Sequence, residues 1–258
     1  MVYNENMSKT NRTTVILVGV GVLLVVALFG IAFWQKGENS DTVDSGDERV
    51  EINKFAEFDR SLILEMAEKN NYKYYNLDKV LPADEQSGEI AENIKGSAKA
   101  KVLIFEYADY QCSHCAEAND KINQLVEDYD GKVAVVFRVF VLNFTNSVAA
   151  ASAANAAGLQ GYWAEYKDLL FANQGEWIYL SGDKLTEQFE EYFEKVSDGK
   201  GDVKKFRADM LSEAVAKKVA FDTGIALELS LSGTPTFMID GEKVGLADLR
   251  SKIEAKLK

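Results

Sequence analysis

Both cysteines of this 258-residue chain lie three positions apart, at Cys112 and Cys115, and the only histidine, His114, lies between them. The preceding residues 101–107 form an apolar, β-rich run that predicts a buried strand, and residues 116–129 predict a helix. Two thiols at this spacing at the start of a helix share one face and can close a small disulfide ring. The order of strand, turn, dithiol and helix therefore predicts a redox-active pair.

The position of Cys112 in this order favours a reactive thiolate. Unpaired backbone N–H groups and the helix dipole stabilise a negative charge at a helix N-terminus. We therefore predict Cys112 as the nucleophile. A protonated His114 would stabilise the same thiolate, which favours the reduced form and makes the disulfide a stronger oxidant.

Two other uses of the cysteine pair remain open. A structural disulfide would close a very short loop, for which loop entropy gives the least stabilisation. A zinc site would need four ligands, whereas the chain offers two thiols and one imidazole. On a helix, His114 also points roughly 200° around the axis from Cys112. We therefore expect neither a metal nor a cofactor at this site.

The composition of the chain argues against several other classes of function. With a single histidine, a Ser-His-Asp triad would have to recruit His114 beside two thiols. The sequence contains no GxxxxGK[ST] phosphate loop and no GxGxxG motif after a strand. The formal net charge of −12 argues against a nucleic-acid partner, because phosphate binding needs a basic face.

Residues 15–34 form an uncharged, apolar segment near the N-terminus. As a helix it would cover the roughly 30 Å hydrocarbon core of a bilayer. Lys9 and Arg12 precede the segment and acidic residues dominate positions 38–48, so the basic bias puts the N-terminus in the cytoplasm. A cleaved signal peptide and a buried core helix are the competing interpretations. We predict a single-pass cell-membrane protein with an extracytoplasmic catalytic domain, a setting in which disulfides persist.

Composition and periodicity divide the chain into segments. An apolar stripe at Phe55, Phe58, Leu62 and Met66 recurs at helical spacing after a polar stretch that has no apolar period. The predicted segments are a cytoplasmic N-terminus (1–14), a transmembrane anchor (15–34), a flexible tether (35–47), an N-terminal helical extension (48–89) and a main domain (90–258).

The main domain follows a recognisable order of elements. A second apolar run at residues 132–142 completes a parallel βαβ unit around the dithiol. Residues 234–241 predict a short strand, residues 242–245 its hairpin partner and residues 246–258 a final helix. Between these halves lie alanine-rich helical segments at about 147–172, 184–196 and 202–229.

Two stretches resemble the DsbA family of thioredoxin-fold thiol-disulfide oxidoreductases. They are residues 105–115, FEYADYQCSHC, and residues 233–241, GTPTFMIDG. The resemblance runs from about residue 90 to the C-terminus. It implies an α/β, thioredoxin-like fold with a helical insert at about 145–230 between the βαβ and ββα halves. Here one N-terminal transmembrane helix would precede that fold.

The resemblance also implies roles for individual residues. Cys112 and Cys115 correspond to the attacking and resolving thiols, and Pro235 to the cis-proline that faces them. Thr234 would offer its N–H and C=O to an extended substrate segment. Glu106 corresponds to the buried acid beneath the second cysteine, which exchanges the Cys115 proton when burial raises its pKa. An edge-facing surface carboxylate for Glu106 and an ordinary trans residue for Pro235 remain open.

The sequence therefore predicts an extracytoplasmic thiol-disulfide oxidoreductase that introduces disulfides into exported proteins. Its expected partners are reduced exported polypeptides, a membrane redox partner that reoxidises it, and the lipid bilayer through residues 15–34. We expect a monomer. A disulfide reductase or isomerase of the same fold and a non-catalytic, peptide-binding chaperone are the alternatives.

Overall fold

The structure, a computed structural model, describes residues 59–258. The predicted cytoplasmic N-terminus, the transmembrane anchor, the tether and the first part of the predicted extension lie outside the described residues. Within residues 59–258, no helix is both long and apolar enough to cross a bilayer.

A five-stranded mixed sheet with strand order β1-β3-β2-β4-β5 forms the centre of the main domain. Strands β2 and β3 run parallel, and every other neighbouring pair is antiparallel. Nearly every residue of β2 and β3 is buried, as expected for a parallel pair covered on both faces. The strands are β1 (Asn93–Lys95), β2 (Val102–Ala108), β3 (Val133–Val139), β4 (Thr236–Ile239) and β5 (Glu242–Val244).

Helices pack on both faces of this sheet. On one face, Ile104 and Val135 pack with Ile122 of α2 and Ile253 of α9. On the other face, Phe105, Tyr107 and Val136 belong to a second cluster that includes residues of α8. The helices are α1 (Arg60–Lys69), α2 (Ser113–Asp128), α3 (Ser147–Gly158), α4 (Trp163–Ala172), α5 (Gln174–Trp177), α6 (Asp183–Ser197), α7 (Val203–Met210), α8 (Glu213–Glu228) and α9 (Leu249–Leu257).

The predicted fold class is confirmed, with differences in detail. The elements β2, α2 and β3 form the βαβ half, helices α3 to α8 follow, and β4, β5 and α9 form the ββα half. The segment predicted as one helix over 147–172 is two helices, because the backbone turns at Gly161 with a φ of 88°. The segment at 202–229 also divides, since the Ser212 side chain caps a new helix by accepting from the Val215 N–H.

The predicted helical extension is helical in only part of its described length. Helix α1 is followed by a short 3-10 turn at Tyr72–Tyr74, and residues 75–92 form neither helix nor strand. The Tyr72 ring packs on Phe221 of α8, and its hydroxyl fills the space that a side chain at Gly224 would need. The extension therefore packs on α8 through both the helix α1 and the turn at Tyr72, and helical periodicity does not predict the turn.

A buried arginine joins this irregular segment to the sheet. Arg138 of β3 is fully buried, and its Nε lies 2.6 Å from Glu92 Oε1. Its other nitrogens donate to the Leu77 carbonyl at 2.7 Å, the Tyr107 hydroxyl at 2.8 Å and the Lys79 carbonyl at 2.9 Å. A buried guanidinium needs both hydrogen bonds and a counter-charge, so this network makes the extension part of the folded domain.

We predict that Glu92→Gln strongly destabilises the protein. The substitution leaves the Arg138 guanidinium buried without its carboxylate, and breaking a buried pair in this way costs about 3–5 kcal/mol. Urea unfolding measures the change in the free energy of unfolding. The exposed Glu85, in the same segment, is the matched control, and Glu85→Gln should change the value by less than about 0.5 kcal/mol. Equal effects of the two variants would contradict the prediction.

Candidate active site

The dithiol lies where β2 ends and α2 begins. Cys112 is the N-cap residue of α2, and its carbonyl accepts from the Cys115 N–H at 3.1 Å and the Ala116 N–H at 3.2 Å. Helix α2 begins at Ser113, three residues before the helical run predicted from the sequence. Cys115 therefore lies in the first turn of α2, at the positive end of the helix dipole.

The two thiols, both free in this structure, differ in exposure and in pKa. The Cys112 side chain keeps a small exposed fraction of 6%, whereas Cys115 is fully buried. A hydrogen bond from the Cys115 thiol is the main cause that lowers the pKa of Cys112, and the backbone N–H groups of Cys115 and His114 add to it against the opposing effect of burial. The same hydrogen bond and burial raise the pKa of Cys115. The geometry therefore favours the thiolate at Cys112.

The loop before β4 meets this thiol. The peptide bond between Thr234 and Pro235 is cis, and the Thr234 carbonyl oxygen lies 3.5 Å from Cys112 Sγ. Strand β4 holds the loop there, because its residues Thr236 and Phe237 pair in antiparallel register with Tyr107 and Glu106 of β2. Residues more than a hundred positions apart thus meet at the carboxyl end of β2.

The ring and the backbone of His114 face different surroundings. The side chain is 76% exposed, and its Nδ1 lies 3.2 Å from Oε2 of Glu117 one turn further along α2. The backbone N–H of His114, in contrast, contributes to the lowered pKa of Cys112. Stabilisation of the thiolate by the imidazole stays a prediction. Among residues 59–258, no three His, Cys, Asp or Glu side chains cluster in a way that could hold a metal ion.

Glu106 is a buried acid of β2 rather than a surface carboxylate. Its side chain lines a narrow internal cavity together with Lys95, Asn123, Trp163 and Lys167. Burial raises the pKa of Glu106 from 4.5 to about 7, and the positive charge of Lys167 opposes part of this rise. An acid with a pKa near neutrality can give up and take back a proton at physiological pH. Exchange of that proton with Cys115 stays a prediction.

Lys167 of α4 is a buried cation that the sequence analysis did not identify. Its side chain is 3% exposed, and its Nζ donates to Asp168 Oδ1 at 2.7 Å, to Asn119 and to Asn123. Asn119 lies one helical turn after Cys115 on the same face of α2. The lysine therefore connects the insert to the face of α2 that carries the buried thiol. No local pattern around position 167 indicates these long-range contacts.

Two amide side chains join the insert to the dithiol turn, and sequence reasoning missed both. Gln174, the first residue of α5, donates through Nε2 to the carbonyls of Tyr110 at 2.6 Å and Cys112 at 3.1 Å. From the other side, Gln111 accepts through Oε1 from the backbone N–H of Asn146 at 2.8 Å. The turn before Cys112 is thus held by hydrogen bonds that depend on the insert.

We predict that Glu106→Gln removes a pH dependence from the stability of the reduced protein. A raised pKa means that the folded state binds the Glu106 proton more tightly than the unfolded state does. The stability that this proton contributes is therefore fully present below pH 4.5 and is lost as pH rises through about 7. Relative to Glu106→Gln, the wild type should therefore lose about 3 kcal/mol across this window. Urea unfolding at a series of pH values measures the difference. The exposed control Glu117→Gln should follow the wild type, and parallel curves for wild type and Glu106→Gln would contradict the prediction.

Curated relatives of this chain are sodium/proton antiporters. NhaA 3 of Salinispora tropica is 32% identical over 169 residues, which are 65% of this chain and 24% of that protein. NhaA of Herminiimonas arsenicoxydans is 28% identical over 240 residues, which are 91% of this chain and 36% of that protein. The chain thus spans only a quarter to about a third of the length of these relatives.

Solved structures of similar fold come from redox proteins. BdbD from Bacillus subtilis, in its oxidised form, has a TM-score of 0.57 at 18% identity and covers 70% of this chain and 98% of its own. The thiol-disulfide exchange protein alpha-DsbA2 from Wolbachia pipientis has a TM-score of 0.56 at 19% identity, and the match covers 76% of this chain and 96% of that protein. At these sequence identities, the likeness shows that the fold is shared.

A family model gives the assignment directly. The model described as thioredoxin matches residues 89–256, which include the dithiol, the helical insert and the loop of Pro235. The matched region begins before β1 and ends within α9, so it contains the whole sheet. The chain therefore belongs to the thioredoxin family.

Proposed function

We propose that this protein is an extracytoplasmic oxidase that introduces disulfides into exported polypeptides. The observation that carries the proposal is the asymmetry of the two thiols, since the pKa of Cys112 is lowered and that of the buried Cys115 is raised. A stabilised Cys112 thiolate favours the reduced enzyme over the disulfide form. The Cys112–Cys115 disulfide is then a strong oxidant, because its reduction releases this favoured thiolate.

The first step is attack on the enzyme disulfide. A substrate thiolate attacks Cys112 Sγ, a substrate–Cys112 disulfide forms, and the Cys112–Cys115 bond breaks. The electron pair of that bond leaves on Cys115, which takes up a proton because its pKa is raised. In this proposal Glu106 supplies that proton. The Thr234 carbonyl, 3.5 Å from Cys112 Sγ, is positioned to accept a backbone N–H from the extended substrate.

The second step releases the product. A second substrate thiolate attacks the substrate sulfur of the mixed disulfide, so that a substrate disulfide forms and Cys112 leaves as a thiolate. The substrate has then lost two electrons and the enzyme has gained two. Another turnover requires an oxidant that takes two electrons from the dithiol, and we assign this role to a membrane redox partner. The enzyme acts as a monomer in this proposal.

Two other activities fit the same fold, and the direction of electron flow separates them. A reductase or isomerase would hold its dithiol at a potential near or below that of thioredoxin, about −270 mV. A non-catalytic chaperone would bind extended peptides beside Thr234 without exchanging electrons. Equilibration of the dithiol with glutathione buffers distinguishes the oxidase from a reductase or isomerase. Substitution of Cys112 distinguishes the oxidase from a non-catalytic chaperone.

We predict that Cys112→Ser abolishes oxidative folding of a reduced test protein by the oxidised enzyme. Cys115→Ser is the informative companion, because it retains the nucleophile but cannot form the enzyme disulfide, so it should also fail to oxidise the reduced test protein. When the test protein already carries a disulfide, the Cys112 thiolate should attack it and release one substrate thiolate, and the resulting mixed disulfide should accumulate because no Cys115 thiol is present to displace the substrate. Non-reducing electrophoresis detects both results. The wild-type potential should lie above about −270 mV. Unchanged oxidative folding by Cys112→Ser would support the chaperone, and a potential at or below that of thioredoxin would support the reductase.

We further propose that residues 15–34 anchor the protein, with the dithiol outside the cytoplasm. The uncharged length of this segment and the basic residues before it support the proposal. The full chain should stay in the membrane fraction after alkaline carbonate extraction, and an impermeant thiol reagent should label Cys112 in spheroplasts. Leu23→Arg with Leu24→Arg should release the chain. Recovery of the wild-type chain in the soluble fraction would favour a cleaved signal peptide or a core helix instead.

A further inference from the structure

A second buried carboxylate lies closer to the dithiol in sequence than Glu106. Asp109 follows β2 directly, and only 1% of its surface is exposed. Its Oδ1 accepts from the Gln111 N–H at 2.8 Å, and its Oδ2 accepts from the Leu142 N–H at 2.6 Å. One oxygen therefore holds the turn before Cys112, and the other holds the chain where it leaves β3 toward the insert.

The main chain of Asp109 contacts both cysteines. Its carbonyl accepts from the Cys112 N–H at 3.1 Å. Its backbone N–H opposes the rise in the pKa of the Cys115 thiol. The residue is thus the point where β2, the dithiol turn and the entry to the insert meet. A displacement of Asp109 would move all three.

The hydrogen bonds of the carboxylate favour the ionised form of Asp109. Each oxygen accepts a backbone N–H, whereas a protonated carboxyl would use one oxygen as a donor. Within residues 59–258, no lysine or arginine forms an ion pair with Asp109, so its charge is compensated by backbone N–H groups and the Ser147 side chain. The buried Ser147 side chain lies beside the carboxylate and opposes the rise in its pKa.

The charge of Asp109 and the charge of Cys112 oppose each other. Burial raises the pKa of Asp109, and the negative charge of Cys112 contributes to the rise. Such an interaction is mutual, so an ionised Asp109 also disfavours the Cys112 thiolate, against the larger effect of the hydrogen bonds that lower the pKa of Cys112. Because the thiolate exists only in the reduced enzyme, the carboxylate destabilises the reduced form relative to the disulfide.

We propose that Asp109 is a positioning residue that holds the dithiol turn against the insert and limits, through its charge, how oxidising the disulfide is. The inference rests on the proposed redox function of the Cys112–Cys115 pair. It gives the two buried carboxylates separate roles. Glu106 faces Lys167 across an internal cavity, whereas Asp109 restrains the nucleophile and the turn that carries it.

Asp109→Asn separates the charge from the shape of the side chain. The amide removes the negative charge, keeps the volume, and can accept from only one of the two backbone N–H groups. The pH midpoint of Cys112 alkylation by iodoacetamide should move to lower pH than in the wild type, where it already lies below the free-thiol value of about 8.5. The equilibrium constant with glutathione should shift toward the reduced enzyme by about threefold to tenfold.

Asp222→Asn is the matched control for the loss of a buried carboxylate. Asp222 is fully buried in α8, where it accepts from Lys218 at 2.6 Å and from the Val139 N–H at 3.4 Å. The control should lower the free energy of unfolding without moving the Cys112 midpoint. If Asp109→Asn does not fold, Asp109→Ser removes the same charge and keeps an acceptor for the Gln111 N–H.

The outcomes decide between a tuning role and a merely structural one. A lower Cys112 midpoint together with a more oxidising disulfide supports the inference. A midpoint that stays unchanged or rises in both Asp109 variants, even if they are less stable, overturns it. If the wild type does not exchange with glutathione, the proposed redox function fails, and the alkylation midpoint still tests the effect of Asp109 on Cys112.

Discussion

The negative charge on the Cys112 sulfur is the feature on which the rest of the site depends. A thiolate in a largely buried position needs donors, and the first turn of α2 and the Cys115 thiol supply them. These donors converge only if β2 ends and α2 begins at fixed points. The parallel pairing of β2 with β3, buried on both faces, fixes the end of β2, and the Cys112 carbonyl begins the hydrogen bonds of α2.

The helical insert contributes electrostatics as well as bulk to this arrangement. Gln174 donates to the carbonyl of Cys112, and the N–H of Leu142, at the entry to the insert, donates to Asp109. Lys167 brings a positive charge toward Glu106 from a helix that is distant in the sequence. The two buried acids therefore differ in what compensates them, since one faces a cation and the other faces backbone N–H groups.

Sequence patterns predicted the elements that carry the dithiol because those elements have strong local signals. The apolar runs around residues 102–108 and 133–139 are long enough to show burial on both faces, and glycine-containing breaks separate the helices of the insert. Strand β1 was missed, because three residues give no period and its pairing with β3 is a long-range contact. The irregular backbone of residues 75–92 escaped prediction for a related reason, since the buried Arg138 of a distant strand holds it in place.

The sequence by itself determined which two cysteines form the closely spaced pair, the position of this pair after a buried strand and the order of the two halves of the fold, because spacing and periodicity are local properties. Only the tertiary structure decided that Glu106 points inward, that the Thr234 carbonyl faces Cys112 and that Asp109 joins the dithiol turn to the insert. Each of these depends on contacts between residues far apart in the chain. The charge of a buried group is set by the donors and cations around it, and the chain brings these together only when it folds.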